Sequence, residues 1–123
     1  YHVFDALAAQ VAQGRLGRKS GHGFIHPAAP GEAPADWQAI VLRIEATLAN
    51  EAAFLAAESG LAPADIDTAL RLGLNFPRGP FEAARVHGAV RIIATLDALE
   101  TTAPAALRGR YVPCSELAAL VGA

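Results

Sequence analysis

Trp37, Ile40, Val41, Ile44, Leu48, Ala52 and Leu55 keep helical spacing over several turns. Asp36 precedes the run as an N-cap, and Gly60 follows it as a stop. A helix of this length needs other elements to lie against. Strands have little support, because Val, Ile and Tyr never gather into alternating runs. The chain is 53% hydrophobic, and much of that content is Ala, which favours closely packed helices. The expected fold is therefore all-α: a helical bundle with one long central helix and shorter ones packed around it.

The shorter pieces follow from punctuation. Residues Tyr1 to Gln13 read as a helix with Val3, Leu7 and Val11 on one face, and Gly14 stops it. The stretch from Gly14 to Gly23 holds four glycines and should carry no α-helix. Phe24 and Ile25 form a short apolar plug, and a segment with three prolines reads as a linker. Pro63 suits the first turn of the next helix, with Asp65 and Asp67 near its positive end. Ile66, Ala69 and Leu70 line its inner face, and Gly73 ends it. The segment Asn75–Pro80 is an irregular turn. Short helices are expected from Phe81 to His87 and from Ser115 to Val121. A longer one runs from Ala89 to Glu100, with Val90, Ile93, Leu96 and Leu99 inside.

The 123 residues suit one modest core. A net charge of −2 gives no reason to expect nucleic acid or an anionic membrane as partner. No apolar run is long enough to span a bilayer, and no signal peptide stands at the start. The single Cys114 excludes an intramolecular disulfide and fits a reducing, cytoplasmic location. The chain lacks Met and begins at Tyr1, so it reads as a piece of a longer protein.

Four groups of residues could carry chemistry. Arg15, Arg18 and Lys19, set among glycines, could meet a phosphate. They form neither named phosphate motif: Arg18 stands where a Walker loop needs Gly, and a helix rather than a strand precedes the loop. A solvated glycine turn is the simpler reading of spacing alone. His2, His22, His26 and His87 are scattered, with no zinc spacing and no identified orienting carboxylate, so they read as surface or loop residues. Cys114 lies near a helix start, yet a buried structural thiol is the better reading. Asn50 and Glu51 interrupt the apolar helix, and a structural hydrogen bond, for example to the Asn75–Pro80 turn, accounts for them.

Three stretches together resemble the C-terminal domain of 3-hydroxyacyl-CoA dehydrogenases. Gly14-Arg-Leu-Gly-Arg-Lys-Ser-Gly-His-Gly-Phe24 resembles the glycine-lysine segment that ends a copy of that domain. Asn50-Glu51-Ala52 and Asp65-Ile66-Asp67 form the second stretch. Leu72-Gly-Leu-Asn-Phe-Pro-Arg-Gly-Pro-Phe81 resembles the family's Leu-Gly-x-x-(Phe/Tyr)-Pro-x-Gly-Pro turn. Within one copy the glycine segment comes last, whereas here it comes first. The resemblance therefore implies that residues 1–33 are the tail of a first copy plus a linker. Residues 34–123 would be a second copy. Such a tandem arrangement is similar to the phenylacetate-degradation enzymes, as is Arg110-Tyr-Val-Pro-Cys-Ser115.

The resemblance implies oxidation of a 3-hydroxyacyl-CoA to the 3-oxoacyl-CoA, with hydride passing to NAD. It places NAD and the catalytic His–Glu pair in an N-terminal Rossmann domain, so no catalytic residue is carried over to this chain. The fragment itself is expected to be inactive and to bind no cofactor or metal. Its implied partners are that Rossmann domain, the acyl-CoA substrate and a second subunit in a homodimer. Arg15, Arg18 and Lys19 are the expected contacts to CoA phosphates or the neighbouring domain. Relatives carry an Asp beyond the Gly-Pro-Phe-Glu turn, whereas this chain reads Ala83-Ala-Arg-Val-His87. The rival reading is a stand-alone helical oligomerisation module without catalytic activity.

Overall fold

The computed structural model describes residues 3–27 and 31–122. They form two compact units, divided between Ala35 and Asp36. Among the described residues there are six α-helices and no strand.

The first unit holds α1 (Asp5–Ala12) and a glycine loop. The helix begins at Asp5, later than its apolar pattern suggested; Tyr1 and His2 lie outside the described residues. No residue of α1 is buried, and Val3, Phe4, Leu7 and Val11 are all exposed. Phe24 and Ile25 are not a plug: both are about two-thirds exposed. A single 3₁₀ turn, Arg18–Ser20, sits inside the glycine loop, where glycines on both sides stop it from extending.

The second unit holds the core. Its spine is α2 (Trp37–Ser59), which Gly60 ends in the left-handed region, its N–H donating to the Ala56 carbonyl. Asp36 stands at the N-cap position, but its carboxylate makes no cap bond. Pro63 opens α3 (Pro63–Leu74), which runs one residue past Gly73 because Asn75 adopts the left-handed cap at φ 55°. Then follow α4 (Pro80–His87), α5 (Ala89–Thr102) and α6 (Leu117–Gly122).

The buried face of α2 is not its stripe of large residues. Leu42, Ala46, Ala49, Asn50, Ala53 and Ala56 point inward, with Ala52 beside them. They meet Phe81 and Ala84 of α4, Ile92 and Leu96 of α5, and Leu117 and Val121 of α6. Ala46, Ala49, Ala53 and Ala84 are wholly buried, so the helices approach closely there. On α5 the inward residues are Ile92 and Leu96, while Val90 is 85% exposed rather than inside. The helical period was right, but the phase was off near the helix start, where Gly88 redirects the chain.

Candidate functional site

Asp67 organises the turn that leads into α4. From sequence it is a charge near the positive end of α3; the structure buries it at 3% exposure. Phe81 N–H donates to its Oδ1 at 2.8 Å and Glu82 N–H to its Oδ2 at 3.1 Å. The N-cap of α4 is Gly79, which has no side chain to satisfy these donors. The α3 carboxylate serves in its place, and Pro80 at the first position has no N–H to satisfy. Glu82 completes the first turn by accepting the Gly79 N–H at 2.8 Å. Position 79 has room for glycine alone, because a Cβ there would collide with the Asp67 backbone and carboxylate.

Two ion pairs brace this arrangement. Arg85 lies 3.7 Å from Asp67, and Arg71 donates to Glu82 at 3.0 Å. The bond from the Gly79 N–H holds the Glu82 carboxyl below its ordinary value of 4.5; partial burial opposes this, and Arg71 and Arg85 add to it. The sequence stretches 65–67 and 72–81 are thus one object in space.

Asn50 does the same for the tail. Its Nδ2 donates to the Val112 carbonyl at 2.9 Å, and its Oδ1 accepts the Cys114 N–H at 2.8 Å. The expected structural hydrogen bond exists, but its partner is the 110–115 segment and not the 75–80 turn. Glu100 holds the same segment from α5, accepting the Gly109 and Tyr111 N–H groups. Cys114 is buried and unbridged, packed in the core. Glu51 is exposed.

Two apolar grooves flank α2 and share Leu48. One, about 190 Å³, lies between Val41, Ile44 and the Phe76–Pro77 turn, with Arg78 at its rim. The other, about 510 Å³, lies between Leu55 on α2 and Leu61, Ile66 and Leu70, with Glu51 and Asp65 at its rim. Ala69, read as inward, is exposed and lines this second groove.

His87 differs from the scattered surface histidine expected. It is half-buried, and its Nε2 meets Glu45 of α2, the orienting carboxylate that the sequence did not identify. The two residues stand 42 positions apart, beyond any local spacing signal. His22 is exposed in the glycine loop, with Nδ1 by the Ser20 carbonyl. Among the described residues no group of three His, Cys, Asp or Glu could hold a metal.

Arg15, Arg18 and Lys19 lie in the other unit, all exposed and, among the described residues, without an ion pair. Ser20 closes their loop: its hydroxyl accepts the Leu16 N–H at 2.8 Å and lies within bonding distance of the Gly17 and His22 carbonyls. Gly23 crosses Gly17 so closely that a Cβ would meet the Gly17 Cα at 2.6 Å. This loop follows a helix, so it does not fit a dinucleotide pyrophosphate, which is held by a turn after a strand.

No helix among the described residues is long and apolar enough to cross a membrane. No curated protein matches the chain. The family described as 3-hydroxyacyl-CoA dehydrogenase, C-terminal domain, matches residues 40–122. That span contains the Asn50 clamp, the Asp67-capped turn and both grooves. With two-thirds of its length matched and an all-α fold built on those two contacts, the chain belongs to the 3-hydroxyacyl-CoA dehydrogenase C-terminal domain family.

Proposed function

We propose that this chain is the substrate-side and dimerisation region of an NAD-dependent dehydrogenase that oxidises 3-hydroxyacyl-CoA to 3-oxoacyl-CoA. The observation that carries this reading is the family match over residues 40–122. The second unit acts as a rigid wall: Asp67 and Asn50 hold its turn and tail, and apolar grooves remain open at its surface. NAD and the catalytic His–Glu pair belong to a Rossmann domain, and the chemistry they supply is hydride removal from the substrate carbon bearing the hydroxyl. Residues 34–123 serve as the second of two C-terminal copies, as in enzymes of the phenylacetate-degradation type. Residues 1–33 end the first copy. The setting is cytoplasmic.

Arg15, Arg18 and Lys19 contact CoA phosphates or the neighbouring domain. Their exposure and lack of ion pairs among the described residues support this role. The first test is acetoacetyl-CoA-dependent NADH oxidation by the full product of the parent gene, with and without residues 34–123. Activity that collapses on truncation makes this copy part of the working enzyme. Activity that survives truncation reduces it to an assembly element, and inactivity of the full product overturns the assignment. Replacing Arg15, Arg18 and Lys19 together with Ala should raise the KM for acyl-CoA, and an unchanged KM removes them from the site.

A further inference from the structure

The narrow groove holds two opposite charges in an otherwise apolar lining. Glu45 comes from α2 and Arg78 from the turn before α4, and between them stand Val41, Ile44 and Phe76. The two charges face one space of about 190 Å³ and yet form no ion pair with each other. Opposite charges held apart over an apolar floor leave room for a small molecule that carries both.

Each charge is fixed by something other than its opposite. Pro77 precedes Arg78, and Pro80 follows Gly79, so the backbone has little freedom on either side. Gly79 is itself pressed against Asp67. Glu45 is anchored by His87, whose Nε2 meets its Oε2. Among the described residues its Oε1 has no hydrogen bond, and the Arg78 guanidinium has neither a hydrogen bond nor an ion pair. The groove thus offers a planar fork of donors and a half-buried carboxylate oxygen, both preset and both unengaged.

We infer that this groove binds a free α-amino acid with a branched apolar side chain, of leucine's kind. Its carboxylate lies in the Arg78 fork, and its ammonium donates to Glu45 Oε1. Its side chain covers Val41, Ile44 and Phe76. A fatty acid would engage Arg78 and set a second carboxylate near Glu45 without a donor for it. An alkylamine would engage Glu45 and leave Arg78 bare. Only a zwitterion meets both charges while staying neutral overall. This site stands beside the dehydrogenase reading and does not depend on it.

An amide chemical-shift titration of the full nitrogen-15-labelled chain with leucine tests the proposal. The amides of Glu45, Arg78 and Gly79 should shift and saturate below about 10 mM leucine. Three analogues each remove one part of the ligand: isocaproate lacks the ammonium, isoamylamine the carboxylate and glycine the side chain. Each should bind at least about tenfold more weakly than leucine. Arg78→Ala should weaken leucine about tenfold and leave isoamylamine unchanged. Glu45→Gln should weaken leucine about tenfold and leave isocaproate unchanged. That crossed pattern separates contact from misfolding, and far-UV circular dichroism confirms that each variant is folded. No shift at about 10 mM leucine, isocaproate binding as tightly as leucine, or an Arg78→Ala chain that binds leucine as well as wild type overturns the proposal.

Discussion

The two faces of α2 divide the molecule's apolar residues in an unexpected way. The inner face is built from Ala46, Ala49, Ala53 and Ala56 around Asn50, and it is sealed. The outer face carries Trp37, Ile40, Val41 and Ile44, and it is open. Hydrophobicity alone would bury the second face and expose the first. The difference shows that close approach outweighs side-chain size inside this bundle. Alanines let α4, α5 and α6 come near enough for the wholly buried Phe81, Ile92, Leu96 and Leu117 to fill the remaining space. The large residues on the outside add area where another body can use it.

This contrast can be broken by substitution, with the largest effects expected where the sealed side holds polar atoms. Asp67→Ala leaves two N–H groups of α4 without acceptors and should cost about 3 kcal/mol in urea unfolding. A loss below about 1 kcal/mol would mean that water replaces the carboxylate. Asn50→Ala frees the Val112 carbonyl and the Cys114 N–H, and about 2 kcal/mol should be lost together with protection of those amides from hydrogen exchange. Ala49→Leu forces extra volume into the sealed face at a cost of about 2 kcal/mol, and a neutral result would show that the helices can part.

A smaller effect should appear in acid. Because the Glu82 carboxyl titrates below 4.5 when folded, its contribution is present above that value and fades as pH falls through the folded pKa. The stability gap between wild type and Glu82→Gln should therefore narrow as pH drops below 4.5, and a constant gap would show that the charged form is not what Gly79 binds. The smallest effect belongs to the open face. In dilute monomeric protein, Ile44→Ala should change unfolding stability by less than about 0.5 kcal/mol. A loss like that of Ala49→Leu would show that the two faces are not different in kind.

Much of the fold was legible because its signals are local. Gly60 and Pro63 mark the α2–α3 boundary through backbone conformations that each residue favours. The helices expected over 81–87 and 89–100 were legible between the Asn75–Pro80 turn and Gly88, although the first starts at Pro80 and the second runs on to Thr102. The family turn at 72–81 was legible as a motif, but its purpose was not. Nothing in the spacing of Asp67 distinguishes a carboxylate facing water from one that caps the next helix. The His87–Glu45 pair was hidden for the same reason, since it depends on where α4 crosses α2.

The sequence by itself therefore determined which segments are helical and to which family they belong. Helical period, proline and glycine act over a few residues, and motifs need no partner to be recognised. The tertiary structure alone decided which face of α2 is buried and which polar residues are structural. Burial is a property of pairs of surfaces, and two apolar faces on one helix compete for the same neighbours. Here the alanine face prevailed because it admits three other helices at close range, leaving the bulkier stripe on the outside.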